Sequence, residues 1–249
     1  MGPKPVPDQL PRIRELLTKA PVIPVVRIER SEDAVPMAEA LVQGGLPVIE
    51  ITLRTPAALK AIEAVARAIP SALIGAGTVT QPGTLTQARD AGAAFAVSPG
   101  VTPALLDAAR AGPLPFVPGI MTPGEAMRAL EAGFDSLKLF PAEQAGGIGM
   151  LKAMAGPFPQ LAFCPTGGVS AANMGAYLAQ PNVLCVGGSW LVPPDALVKR
   201  NWALVSRLAA GAVREAALIY KGTPPPATTG DSDTGAQSAL GEEDPGATL

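Results

Sequence analysis

From Pro21 onward, short apolar runs alternate with longer mixed stretches along the chain. The apolar runs cover residues 21–28, 48–52, 73–78, 95–99, 116–120, 136–141, 161–167 and 183–189. Each has the length of a strand, is bounded by turn residues, and is apolar enough to be buried on both faces. Between them, Ala- and Leu-rich stretches at 32–42, 57–68, 84–91, 103–111, 124–132 and 171–178 read as helices. Pro56, Pro82, Pro103 and Pro123 fall at helix starts, where a missing N–H leaves no bond unmade. Gly44, Gly92, Gly112 and Gly133 fall at helix ends, where a left-handed residue is wanted. Buried strands separated by helices make parallel sheets. The unit recurs without a long interruption, so the expected fold is α/β, a single (β/α)8 TIM barrel with an extra N-terminal helix over residues 8–19. An open doubly wound sheet is the competing arrangement. Residues 202–220 read as the last barrel helix.

The pattern stops after Lys221. Residues 222–249 are rich in Gly, Pro, Ser, Thr and Ala, carry Asp231, Asp233, Glu242, Glu243 and Asp244, and have no basic residue. Such a segment buries too little apolar surface to offset the entropy of ordering. The expected organisation is a barrel over 8–221 and a disordered acidic C-terminal tail over 222–249.

Composition narrows the function. A chain of 249 residues, 48% of them hydrophobic, can bury a core without disulfides or metals. A net charge of −2 and a pI near 5.3 give no electrostatic footprint for nucleic acid. No apolar run approaches the ~20 residues of a membrane span, and the proline-rich start lacks the apolar core of a signal peptide. A cytoplasmic protein acting on a small molecule, without nucleic acid or membrane partners, is expected. Cys164 and Cys185 both sit in apolar runs and are expected as buried reduced thiols, although neighbouring strands leave a disulfide geometrically open. The chain has no histidine. That removes the usual Ser-His-Asp and Cys-His nucleophiles and most catalytic zinc sites. Proton transfer falls to Glu, Asp, Lys, Tyr or the substrate.

Lys138 lies mid-strand in Ser136-Leu137-Lys138-Leu139-Phe140-Pro141. A lysine among Leu and Phe loses hydration, which favours the neutral amine, a nucleophile for carbonyl carbon. A lysine whose stem is buried and whose head reaches water fits the same window. Side chains alternate along a strand, so Glu50, Thr52 and Arg54 share one face and Ile49, Ile51 and Leu53 the other. The same parity puts Ser136, Lys138 and Phe140 on the barrel interior. Glu50 therefore reads either as an ion-pair partner of Lys138 or Arg54, or as a general acid–base beside a nucleophilic lysine. Arg54 reads as a strand-end surface residue or as a bidentate carboxylate clamp. Gly167-Gly168 and Gly187-Gly188 follow the last two strands, where barrels bind phosphate through backbone N–H groups; tight turns also want glycine. Gly75-Ala76-Gly77-Thr78 reads as a similar strand end or as close helix–strand packing. Cys164, without a histidine base, reads as packing.

Several of these segments together resemble the 2-keto-3-deoxy-6-phosphogluconate (KDPG) and 4-hydroxy-2-oxoglutarate (KHG) aldolase family over about Leu16 to Ile219. They are Val48-Ile49-Glu50-Ile51-Thr52-Leu53-Arg54-Thr55, Gly75-Ala76-Gly77-Thr78-Val79, Ser98-Pro99-Gly100, Pro118-Gly119-Ile120, Lys138-Leu139-Phe140-Pro141-Ala142-Glu143, Ala155-Gly156-Pro157-Phe158, Phe163-Cys164-Pro165-Thr166-Gly167-Gly168 and Gly187-Gly188-Ser189-Trp190-Leu191-Val192. The resemblance implies a class I aldolase, a carbon–carbon lyase, with no metal or other cofactor and usually a homotrimer. It implies Lys138 as the Schiff-base residue and Glu50 as the general acid–base. Arg54, Thr78 and Pro99, joined by Arg27, then surround the pyruvyl part of the substrate, and Phe140 stands beside the reactive lysine. Thr166, Gly167, Gly168 and Ser189 fall near the phosphate. The implied reaction cleaves KDPG to pyruvate and glyceraldehyde 3-phosphate, and also KHG to pyruvate and glyoxylate. The alternatives are a related aldolase with KHG or the phosphogalactonate epimer as main substrate, and a non-catalytic sugar-phosphate-binding barrel.

Overall fold

The computed structural model describes residues 9–220; the expected acidic tail at 222–249 lies outside the described residues. The N-terminal helix α1 spans Gln9–Thr18. The strands are β1 (Val22–Val26), β2 (Val48–Thr52), β3 (Leu73–Gly77), β4 (Phe95–Val97), β5 (Phe116–Val117), β6 (Gly119–Ile120), β7 (Ser136–Leu139), β8 (Ala162–Pro165) and β9 (Val186–Gly188). The helices that follow are α2 (Ala34–Gln43), α3 (Ala58–Ala68), α4 (Pro82–Asp90), α5 (Pro103–Ala111), α6 (Pro123–Glu131), α7 (Gly147–Ala155), α8 (Met174–Leu178), α9 (Pro194–Val198) and α10 (Trp202–Tyr220). All strand pairs are parallel. One sheet runs β5-β4-β3-β2-β1-β9 and a second runs β6-β7-β8. The result is an α/β fold with its parallel sheet curled into a half-barrel. Bridges Phe163↔Val183 and Thr166↔Gly187 tie β8 to the run that ends in β9. No described helix is long and apolar enough to cross a membrane.

Three details depart from the sequence expectation, each for a physical reason. The run at 116–120 is divided into β5 and β6 by Pro118, which cannot donate to a ladder. The Pro118 carbonyl still accepts from Lys138 N at 2.9 Å, so the line of the strand continues. Two of the four helix-end glycines are not left-handed. Gly44 has φ −75° because a Cβ there would lie 2.4 Å from Ala209 Cβ; it is glycine so that α10 can approach α2 closely. The left-handed residue is Gly45. Gly112 is extended, with φ −88° and ψ 161°. Finally, α7 and α9 fall in Gly- and Pro-rich segments whose composition concealed them.

The core is continuous across strands and helices and is built mainly from Ala, Val, Leu and Ile, with Phe95, Phe116, Phe134 and Phe163 at its centre. Phe116 and Phe134 meet edge to face, centroids 5.7 Å apart at 74°. Phe95 occupies space that a side chain on Gly75 would claim, 2.3 Å from its ring. The few buried polar side chains include Glu50, Thr52, Ser98, Ser136, Lys138 and Thr166, six residues that lie on or at the ends of strands. That concentration of polar atoms inside an apolar core marks the functional region.

Candidate active site

Glu50 stands mid-way along β2, in register with Val25 on β1 and Gly75 on β3. Lys138 stands on β7, in register with Gly119 on β6 and Cys164 on β8. The two side chains cross the interior and meet: Lys138 Nζ donates to Glu50 Oε1 at 3.1 Å and to Oε2 at 3.3 Å. Both are nearly dry, 5% and 3% exposed. Arg54 is not the partner of Glu50; its Nε donates to Thr78 Oγ1 at 3.2 Å. Room for the Glu50 carboxylate comes from Gly77, whose Cβ would lie 2.1 Å from Oε1. The glycines of the 75–78 segment therefore serve the interior, Gly75 for Phe95 and Gly77 for Glu50, and the helix–strand packing reading is replaced. The Phe140 ring centroid lies 5.4 Å from Lys138 Nζ, within cation–π range.

Cys164 is buried beside Lys138, and Cys185 beside Cys164; both are free thiols. A hydrogen bond from the Cys185 thiol draws Cys164 below the ordinary thiol range, against burial, with the Lys138 charge adding to the effect. The same bond and burial push Cys185 well above it.

A cleft of about 450 Å³ reaches Thr52 and Phe140, the residues two positions along the chain from Glu50 and Lys138. Arg27, Thr52, Arg54, Phe140, Thr166, Gly167, Gly168 and Ser189 all line it, so most of the expected site residues converge there. Arg27 lies at its exposed edge, paired with Glu29 at 2.9 Å. Thr78 and Pro99 are half-buried in the loops after β3 and β4. Thr78 has φ +62°, a strained conformation for a β-branched residue, and its hydroxyl holds Arg54. Gly119 Cβ would lie 2.5 Å from the Pro99 carbonyl carbon, so the Ser98-Pro99 turn presses on β6, and Ser98 Oγ accepts from Gly119 N at 3.0 Å. At the other side of the cleft, Gly167 and Gly168 are both left-handed, φ 98° and 79°. Gly187 is glycine to admit the Thr166 hydroxyl, 2.2 Å from where its Cβ would be. Leu197 and Val198 of α9 also reach the cleft, and nothing in their segment marked them beforehand.

A desolvated lysine held by a carboxyl group, with an arginine on one side of a cleft and bare backbone on the other, suits covalent chemistry on an anionic carbonyl compound. Fold and site together define a class, the Schiff-base carbon–carbon lyases. A sequence model of the KDPG and KHG aldolases matches residues 13–208. The KHG/KDPG aldolase of Escherichia coli (strain K12) is 51% identical over 203 residues, 82% of this chain and 95% of that protein. The 2-dehydro-3-deoxy-phosphogluconate aldolase of Pseudoalteromonas atlantica is 48% identical over 206 residues, 83% of this chain and 96% of its own. The crystal structure of KDPG aldolase from Legionella pneumophila, with pyruvate captured as a covalent carbinolamine, superposes with a TM-score of 0.79 at 48% identity, covering 80% of this chain and 97% of that one. The chain belongs to the KDPG and KHG aldolase family.

Proposed function

We propose that this enzyme cleaves 2-keto-3-deoxy-6-phosphogluconate to pyruvate and glyceraldehyde 3-phosphate through a Schiff base on Lys138. The observation that carries this reading is the buried Lys138–Glu50 pair, with Nζ 3.1 Å from the carboxylate. Neutral Lys138 attacks the C2 ketone, and Glu50 moves the protons as the carbinolamine loses water. The protonated imine then withdraws electrons from C3. Glu50 takes the C4 hydroxyl proton, the C3–C4 bond breaks and the aldehyde leaves. Protonation of the remaining enamine at C3 and hydrolysis release pyruvate and return the amine. One carboxyl group serves each transfer in turn, which suits a chain without histidine.

Arg54, held by Thr78, faces the pyruvyl carboxylate, with Arg27 at the rim and Pro99 bounding that end. Phe140 packs beside the imine. Thr166, Gly167, Gly168 and Ser189 receive the phosphate, whose binding energy is remote from the reacting bond. The Escherichia coli relative is named for both KHG and KDPG, and KHG, which shares the pyruvyl half, is the second substrate in this reading. The strand arrangement supports one closed eight-stranded barrel: β5 and β6 continue through Pro118, and the two bridges join β8 to β9. A homotrimer is the assembly that belongs with this family reading, and sedimentation of the purified protein tests it.

Borohydride reduction in the presence of pyruvate, followed by peptide mass analysis, tests the mechanism. A stable pyruvyl adduct on the Lys138 peptide is expected. A folded, pyruvate-saturated sample that gives no adduct, or an adduct on another lysine, overturns it.

A further inference from the structure

Behind the Gly167-Gly168 turn lies a polar cluster that the mechanism above does not use. Glu143, two residues past the Phe140-Pro141 turn, accepts two hydrogen bonds on Oε1: one from the Tyr177 hydroxyl and one from Asn173 Nδ2 at 3.3 Å. The same Asn173 amide donates to the Gly168 carbonyl at 3.1 Å, and its oxygen accepts from Ser170 N at 2.7 Å. The Glu143 backbone N–H donates to the Gly167 carbonyl at 3.1 Å, and the Ala142 N–H to the Thr166 carbonyl at 2.8 Å. Gly168 lies directly on the Glu143 side chain, since a Cβ there would sit 2.2 Å from Glu143 Cγ. The Tyr177 ring is buried, and burial, then the bond to Glu143, raises its hydroxyl far above the ordinary phenol range, so it remains a donor.

These bonds fix three consecutive peptide planes. In a trans peptide the C=O and the following N–H point in opposite directions. Holding the carbonyls of Thr166, Gly167 and Gly168 from behind therefore aims the N–H groups of Gly167, Gly168 and Val169 forward. Those three residues line the cleft. None of the three N–H groups donates to another described residue. A run of free, parallel N–H groups is a cradle for an anion.

We propose that Glu143, held by Tyr177 and acting through Asn173, is a positioning residue that orients this N–H cradle toward the phosphate end of the substrate. The proposal rests on the reading of the cleft given under Proposed function. It makes a separable prediction, because exchange of the pyruvate C3 hydrogens with solvent needs Lys138 and Glu50 but no phosphate. In Glu143→Ala, kcat/KM for KDPG is expected to fall roughly 10- to 100-fold, carried mainly by KM. Hydrogen–deuterium exchange at pyruvate C3, followed by NMR, is expected to stay at the wild-type rate. Glu143→Gln keeps an oxygen acceptor for Tyr177 and Asn173 and is expected to recover most of the loss. An equal fall in both activities makes Glu143 a general structural residue and overturns the proposal, as does unchanged KDPG turnover. If Glu143→Ala does not fold, Tyr177→Phe gives the same comparison, with a smaller loss confined to the phosphorylated substrate; a loss shared by pyruvate exchange overturns it. Should the wild-type enzyme neither exchange pyruvate nor cleave KDPG, the functional reading itself fails. Calorimetric binding of inorganic phosphate, weakened in Glu143→Ala or not, then decides the cradle on its own.

Discussion

Replacing Lys138 by methionine keeps the bulk of the stem but leaves the Glu50 carboxylate without its partner in a site where it is only 3% exposed. Breaking a buried ion pair from one side costs about 3–5 kcal/mol. Replacing both charges by apolar groups is neutral or stabilising by comparison, so Lys138→Met is expected to be at least about 3 kcal/mol less stable at pH 7 than Lys138→Met/Glu50→Leu, in which the interior is apolar. Urea unfolding of both variants measures this, read as midpoint shifts at constant slope. Both must also fail borohydride trapping. Equal stability of the single and double variants at pH 7 would refute the idea that a desolvated charge pair, held for chemistry and not for stability, lies between the strands.

Other expectations follow from single contacts. Gly77→Ala puts a methyl 2.1 Å from Glu50 Oε1; displacement of the carboxyl should lower kcat about 100-fold with circular dichroism unchanged, and near-normal turnover would show that Glu50 can move without consequence. Arg54→Lys removes the planar fork that Thr78 holds, so half-saturation of borohydride trapping should need roughly tenfold more pyruvate. Glu125 closes a capping box on α6, accepting from Met121 N and Thr122 N, both at 2.8 Å. Burial pushes its carboxyl up, but these bonds, the Thr122 hydroxyl and Arg128 outweigh it and hold it below the usual range. A lowered value stabilises the fold above the unfolded-state titration and ceases to as pH falls through the folded one. Glu125→Ala should therefore cost about 0.5–1 kcal/mol at pH 7, and the gap should close in strongly acidic urea titrations.

How far this site was legible in the chain depends on the range of the interactions that build it. Glu50 and Lys138 were placed on one interior by strand parity alone, because alternation is a local rule and the apolar flanks of both strands left no other face for them. Arg54 and Thr52 followed from the same rule. Gly77 was visible as a glycine, but its purpose was not, since the side chain it makes room for comes from the neighbouring strand. Pro118 announced a ladder defect that a single run of apolar residues concealed. Glu143, Asn173 and Tyr177 had no local signature at all: an exposed acid, an amide and a buried phenol from two distant segments acquire meaning only when the loops after β7 and β8 are brought against α8. In the proposed mechanism the residues that touch the reacting bond thus sit on strands and obey periodicity, whereas those proposed to hold the substrate's far end sit on loops whose geometry is set by tertiary hydrogen bonds. The consequence for this enzyme is a division of labour. The strand-borne pair is rigid, dry and costly to disturb, and the loop-borne cradle is held by a few replaceable bonds. Changes in substrate preference should therefore be reached through Glu143, Asn173 and the α9 rim without touching Lys138 or Glu50.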